Sequence, residues 1–553
     1  MPGPTPAGPI PASPVPASPV PANPGPPGEA ARSLPSGFGV TLDAATKQLS
    51  DGSLFGGSPA RVLRLTAAGQ QALTELRAGP IRSAAAAVLA RRLTDNGMAH
   101  PVPPAVDPDR QLDVTVVIPV RDRAAMLERC LAAVAGRYPV VVVDDGSADE
   151  AAVAAVAARH GASVLRRPSS DGPAAARNSG LAAIHTELVA FLDSDCAPPL
   201  DWIEGLAAHL ADPLVAAVAP RIVALAPRTA AGRYEQARGS LDLGDQAARV
   251  VPASRVSYVP TAALLVRRAA LETVRRGALP PGTVAPGTVA PGTVALGTVA
   301  LGTGAVFDPA LRYGEDVDLV WRLHEAGWRI RYEPSVQVPH AGPATWAGLL
   351  ARRFRYGTSA APLARRHPGQ VPPLVLQAWP AAAVAALLAR RPVTALAAYA
   401  AGTAQLVQLL RDWGVPGRNV LRPMAGSVQQ TWLGAGRWSV QYALPAVAAG
   451  LVRPGGRTAR ARLGRRVALA SLVLGPPAAE WRRGRPSLDP VRFTLGYLAD
   501  EAAYGAGVYR GAVAERLAAP LLPRIAWRPL PRRGQGGEAV KQPAGPEGGG
   551  SDQ

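Results

Sequence analysis

The chain has 553 residues, 48% of them hydrophobic, and a formal net charge of +19 that is almost wholly arginine, because Lys47 and Lys541 are its only lysines. That length exceeds one ordinary domain, so two or three units with a sizeable core are expected. The basic excess accompanies no helix-turn-helix, zinc-finger or RNP-like pattern. No nucleic-acid partner is expected, and phosphate-bearing ligands or an anionic membrane surface suit the charge instead. Cys130 and Cys196 stand in no metal-ligand spacing, which makes a reducing cytosol the default compartment.

Residues 1–34 read as a disordered Pro/Ala-rich arm with no signal peptide. Residues 35–104 form a small unit. In "SPARVLRLTAAGQQALTELRAG" a short strand leads into a helix that starts at Thr66 and stops at Gly79. "SAAAAVLARRLTDNGMAHPVPP" supplies a second helix, ended by Asn96-Gly97. A winged-helix-like module is expected, with an extension of the main domain as the other reading.

Regular alternation begins in a unit spanning 105–371. Strands Val114–Val120, Val140–Val143, Ser163–Arg167 and Leu188–Leu192 alternate with helices, of which the first ends at Gly136. Apolar strands between helices predict an α/β fold with a mostly parallel sheet covered on both faces. Pro281–Ala305 then repeats a five-residue Pro/Leu-Gly-Thr step. Its period is too short for a solenoid, so a flexible insertion is expected.

From 372 to 530 the composition turns helical and apolar, with a disordered tail over 531–553. Two stretches, Leu374–Ala389 and Val393–Leu410, flank Arg390-Arg391-Pro392. The second approaches the ~20 residues needed to span a bilayer. The expectation is attachment at the cytoplasmic face of the cell membrane, the arginines marking that side. The other reading is a helical region packed on the catalytic domain.

Polar residues recur where parallel strands end, the edge at which such sheets bind ligands. The first strand ends in Pro119-Val120-Arg121-Asp122, the second in Asp144-Asp145-Gly146-Ser147, the fourth in Asp193-Ser194-Asp195. Any one alone is equally an N-cap or an Asx-turn. Three on one edge make a carboxylate pocket that calls for a cation. Hard oxygen ligands favour Mg2+ or Mn2+, which leave positions for the phosphates of a nucleotide diphosphate. Neither G-x-G-x-x-G nor a P-loop occurs, against a nicotinamide dinucleotide and against a P-loop nucleotidase.

"VIPVRDR", "VVVDDGSADE", "GPAAARNSG", "FLDSDCAPP" and "YGEDVDLVWRLHEAGW" resemble, in order and spacing, the motifs of family 2 glycosyltransferases over about residues 113–360. The resemblance implies a GT-A fold, a nucleotide-diphospho-sugar donor, Mg2+ or Mn2+, and inversion at the anomeric carbon. It places Pro119, Arg121, Asp122, Asp144 and Asp145 toward the nucleoside, and Arg177 and Asn178 toward nucleotide or diphosphate. Asp193, Ser194 and Asp195 fall at ribose and metal, with Asp195 as principal ligand and His340 of "VQVPHAGP" beside the metal or diphosphate. Inverting transfer needs a base for the acceptor hydroxyl. The resemblance selects Asp316, supported by Glu315, while acidic capping of a helix explains both acids, and Asp318, equally well. "RRFRYG" departs from the Q-x-x-R-W motif of processive relatives through Arg352 and Tyr356; Arg355 is left to bind phosphate or acceptor, or to form a basic helix face.

The whole layout resembles the glycosyltransferases of mycofactocin biosynthesis, notably in "RVLRLTAAG" and "RRFRYGTSAAPLARRHP". That implies glucose transfer from UDP-glucose to a peptide-derived redox-cofactor precursor, forming a β-linked oligosaccharide. The alternatives are a polyprenyl-phosphate or cell-wall glycan transferase, and a membrane scaffold with a silent nucleotide-sugar domain.

Overall fold

The side chains of "VTVVIPV" alternate between two apolar layers, and this organises the central domain. Val114, Val116, Ile118 and Val120 enter one core and Val117 the opposite one. Continuous hydrophobicity is what a strand covered on both faces requires. The structure, a computed structural model, describes residues 32–105, 111–134, 136–225, 227–275, 305–411, 418–452 and 458–526. The Pro-rich arm before residue 32, the pentapeptide insertion before residue 305 and the tail expected over 531–553 lie outside the described residues.

The N-terminal unit runs β1 (Gly39–Leu42), β2 (Lys47–Gln48), β3 (Leu54–Gly56), β4 (Arg61–Leu63), α1 (Ala67–Ala78), α2 (Ala84–Asp95) and β5 (Ala99–Val102). Thr66 starts α1 by accepting a hydrogen bond from the Gly69 amide at 3.2 Å. β1 pairs with β5, and β2, β3 and β4 form a separate sheet; Leu54, Leu73, Leu76, Leu89 and Leu93 share one core.

The central unit opens with β6 (Val114–Val120), α3 (Ala124–Val134), β7 (Val140–Asp145), α4 (Glu150–Arg159), β8 (Ser163–Arg167), α5 (Pro173–Ala182) and β9 (Leu188–Leu192). It continues with α6 (Trp202–Ala207), β10 (Val215–Ala224), α7 (Ala230–Arg238), β11 (Ala248–Arg249), β12 (Ala263–Arg267), α8 (Arg268–Arg275), α9 (Glu315–Glu325) and β13 (Arg329–His340). The sheet order is β11-β13-β10-β12-β9-β6-β7-β8. Four of its seven pairings are parallel; β12 runs antiparallel to both β9 and β10, and β11 antiparallel to β13. This is the expected α/β class with helices on both faces. β9, β6 and β7 are parallel neighbours, so the carboxyl ends of all three meet at one edge.

The C-terminal region is α10 (Trp346–Thr358), α11 (Ala360–Arg366), β14 (Val375–Gln377), α12 (Ala378–Leu388), α13 (Pro392–Arg411), α14 (Arg418–Tyr442), α15 (Leu444–Val452), α16 (Ala459–Gly484), α17 (Pro490–Ala514) and β15 (Arg524–Ala526). α10 and α17 meet backbone to backbone. A Cβ on Gly507 would stand 1.9 Å from the Phe354 carbonyl oxygen, and one on Gly357 2.2 Å from that of Tyr504.

The expected membrane location is overturned here. Among the described residues no helix is long and apolar enough to cross a membrane. The first apolar stretch is divided between β14 and α12, whose 11 helical residues rise only about 16 Å. The second forms the 20-residue α13, but Thr394, Thr403, Gln405 and Gln408 interrupt it and alanine supplies much of the rest. α12, α13 and α14 pack against one another instead.

Candidate active site

Loops after β6, β7 and β9 build the edge, and each is tied to its neighbours. Pro119 is half-buried near the end of β6. Asp122 takes a left-handed φ of 53°, a conformation that costs a non-glycine residue about 1 kcal/mol. Two bonds to the β7 loop hold it: its amide donates to Ser147 Oγ at 3.0 Å, and its carboxylate accepts from the Ala148 amide at 2.7 Å. Asp144 accepts from the Ser147 amide at 3.0 Å and pairs with Arg166. Asp145 accepts from Arg167 Nε at 2.8 Å, Ser170 Oγ at 2.9 Å and the Gly172 amide at 2.9 Å. Arg121 reaches the same Ser170 hydroxyl at 2.9 Å. These acids therefore shape the loop that leads into α5. Gly146 makes the approach possible, since a Cβ there would lie 2.8 Å from the Ser170 nitrogen and its φ is +72°.

The β9 end carries the denser charge. Arg177, buried in α5, bridges two acids: it donates to Asp193 Oδ1 and to Glu315 Oε1, each at 2.7 Å. Glu315 lies in the first turn of α9, so this one guanidinium joins the DSD turn to the ED pair. Asn178 beside it clamps the chain before α9, donating to the Phe307 carbonyl at 2.7 Å and accepting from its amide at 3.0 Å. Ser194 is buried between the two aspartates.

Asp195 Oδ2 pairs with Arg123 at 2.6 Å, and its Oδ1 lies 3.4 Å from His340 Nε2. The bridge between Cys196 and His340 and the bond from the Ala341 amide to the Asp195 carbonyl, at 2.9 Å, bring the end of β13 to this turn. Burial alone would raise the Asp195 carboxyl, but His340 and Arg123 outweigh it and hold it below the usual range. Asp193 goes the other way, raised by burial and by the Asp195 charge despite Arg177.

Asp316 differs from its neighbours. It accepts only from the Val317 amide, at 2.8 Å, and no ion pair to it occurs among the described residues. Burial, then the Glu315 charge, pushes its carboxyl up to about 7. Asp318, in the same turn, points elsewhere: it pairs with Arg322 at 2.8 Å and His367 at 3.0 Å, within the scaffold. Tyr258 and Tyr356 lie within electrostatic reach of Asp316. Burial and then the Asp316 charge push the Tyr258 hydroxyl up to about 12.

Asp145, Asp195 and Asp316 thus share one end of the sheet. Arg355 is exposed on α10, and no hydrogen bond or ion pair among the described residues ties its side chain to the cluster. Arg123, Arg166, Arg167 and Tyr258 were not singled out in the sequence. The two arginines closing "SVLRR" sit one strand from the acids they bind, and only the β7–β8 pairing, Asp144 opposite Arg166 and Asp145 opposite Arg167, identifies them. Among the described residues no group of three or more His, Cys, Asp or Glu side chains forms a ready metal cage.

An α/β sheet with this acidic edge is the arrangement expected of a glycosyltransferase of GT-A fold. The profile of glycosyl transferase family 2 matches residues 115–275. Pre-mycofactocin glycosyltransferase from Mycobacterium tuberculosis is 38% identical over 515 residues, covering 90% of this chain and 99% of that protein. The glycosyltransferase AglE of Haloferax volcanii is 37% identical over 100 residues, 16% of this chain and 33% of its own. Among solved structures, the mannosyltransferase PcManGT from Pyrobaculum calidifontis, in complex with GDP-Man and Mn2+, aligns with a TM-score of 0.33 at 20% identity, over 67% of this chain and 88% of its own. The chain belongs to the family 2 glycosyltransferases, and within them it is like the pre-mycofactocin glycosyltransferases along nearly its whole length.

Proposed function

We propose that the chain is an inverting, metal-dependent transferase that moves glucose from UDP-glucose onto the peptide-derived mycofactocin precursor, building a β-linked oligosaccharide. One observation carries the chemistry: Asp316 is the only acid of the Asp193, Asp195, Glu315 and Asp316 cluster without a cationic partner among the described residues. A carboxylate that titrates near 7 is suited to general-base work at neutral pH. Asp316 accepts the proton of the acceptor hydroxyl as the new oxygen–carbon bond forms and the bond to the diphosphate breaks. Glu315, held by Arg177, keeps that carboxyl high and fixes the first turn of α9. Likeness to the pre-mycofactocin glycosyltransferases supports the acceptor.

The residues present fit a divalent ion. Asp195 Oδ1 and His340 Nε2 converge to 3.4 Å at the sheet edge, a carboxylate oxygen and an imidazole nitrogen that are both suited to Mg2+ or Mn2+. Asp195 and His340 would hold Mg2+ or Mn2+, with Asp193 beside them and donor phosphates completing the shell. The ion would act as a Lewis acid on the departing diphosphate. Pro119, Arg121, Asp122, Asp144, Asp145, Arg177, Asn178 and Ser194 shape the nucleotide side, and Arg355 is assigned to phosphate or acceptor.

The test incubates the full chain with labelled UDP-glucose and either the peptide-derived precursor or a polyprenyl phosphate. Label is expected on the precursor, lost with a chelator and restored by Mn2+ or Mg2+. Label on lipid alone would sink the acceptor, and full transfer in chelator would sink the metal.

A further inference from the structure

The seam between the N-terminal unit and the sheet contains more buried positive charge than its acids neutralise. Arg91 is bidentate to Asp212 at 2.7 and 2.8 Å, and Arg329 is bidentate to Asp95 at 2.8 and 2.7 Å. Both carboxylates are thereby occupied. Arg249 donates to the Asp95 backbone carbonyl and has only a 3.6 Å share of the Asp95 carboxylate. Arg331, 4% exposed, is in no ion pair among the described residues; its one hydrogen bond runs 3.4 Å to His100 Nδ1. That imidazole nitrogen is an acceptor, because Nε2 of the same ring serves Asp43 at 2.9 Å.

Register sharpens the excess. Arg249 and Arg331 stand directly opposite each other across the antiparallel β11–β13 pair, an arrangement in which like charges repel. The Nε atoms of both are buried and without a partner. Burial pushes the Arg331 guanidinium down to about 10. All four arginines line one cavity of about 10 Å3 with Asp95, Asp212 and His209, and Glu333, the acid that acts most strongly on Arg331, is itself bound to His209 at 3.0 Å, so the cations outnumber the acids. A buried arginine without a counter-ion is costly, whereas water in the cavity would satisfy N–H groups but leave the charge.

We propose that this seam binds one small monovalent inorganic anion, of the halide class and physiologically chloride, between the guanidinium groups of Arg331 and Arg249. At about 10 Å3 the space is no larger than one water, so it has no room for phosphate and takes a halide only as the flanking side chains give way. The site is remote from the transfer chemistry, since Arg331 lies nine residues before His340 on β13, roughly 30 Å along the strand. Its effect is to lock the N-terminal unit against the sheet.

The experiment follows thermal unfolding of the full chain in sodium chloride and in sodium gluconate at equal ionic strength. The midpoint is expected to rise by about 1–2 °C per tenfold increase in chloride but not in gluconate, and Arg331→Met should abolish the difference. Identical midpoints in the two salts would overturn the proposal. Should the variant not fold, bromide-soaked crystals of the unaltered chain decide. An anomalous peak between Arg331 and Arg249 supports the site, and water density without such a peak overturns it.

Discussion

The sheet edge that carries Asp316 and the seam where α17 meets α7 and α10 are both crowded with buried charge. At the seam every acid has its guanidinium. Asp500 accepts from Arg238 and Arg353, Glu501 from Arg238 and Arg437, Glu480 from Arg238, and Glu235 from Arg352. At the edge Asp193, Asp195 and Glu315 are paired, and Asp316 is not. Complete pairing holds helices in place. The acid left without a cation has a raised proton affinity, which is what proton transfer needs.

The largest break in this comparison is Asp316→Asn. It should lower kcat by about a thousandfold while leaving the unfolding midpoint in place, since no ion pair is lost; steady-state rates beside a melting curve check both halves. Asp500→Ala is the opposite case. It strands Arg353 and weakens the hold on Arg238, so chemical denaturation should show a loss of about 3–5 kcal/mol.

The two regions also separate by pH. Asp316 works as a base only when ionised, and its value of about 7 lies above the ordinary 3.8. The rate should therefore climb with pH through 7 and fall about tenfold per unit below it. Glu501 shifts the other way: burial alone would raise it, yet Arg437 and Arg238 bring it down to about 2 from an ordinary 4.5. Its contribution to stability is complete above 4.5 and fades as pH falls toward 2. A pH–rate profile set against melting curves should show activity lost between pH 7 and 5 with the fold intact. A common pH window for both losses would contradict the division.

The smallest test compares two helical glycines. Gly507→Ala must clash with the Phe354 carbonyl, which opens the α10–α17 contact, whereas nothing lies within 4 Å of a Cβ on Gly426. Gly426→Ala should stabilise by about 0.5–1 kcal/mol and Gly507→Ala should destabilise by more than that, both measured by denaturant midpoints.

Much of the first half of the sheet was legible, because Val114–Val120, Val140–Val143 and Leu188–Leu192 declare themselves by local apolar runs between helices. The C-terminal stretches misled for a related reason. Length alone reads α13 as a span, yet alanines and short polar side chains serve equally well between packed helices. Arg167 illustrates what a linear reading misses: nothing in "SVLRR" announces that its second arginine faces Asp145.

By itself the sequence determined the order of strands and helices from β6 to β9, the acids at strand ends and the ED pair opening α9. Those depend on neighbours a few residues apart, through periodicity, turn chemistry and helix-end electrostatics. Only the tertiary structure decided which acids found a cation, that Arg177 joins β9 to α9, and that Asp316 is left without one. A carboxylate's proton affinity depends on burial and on charges a few ångströms away in space, and residues 177, 193 and 316 come within that range only when the chain folds.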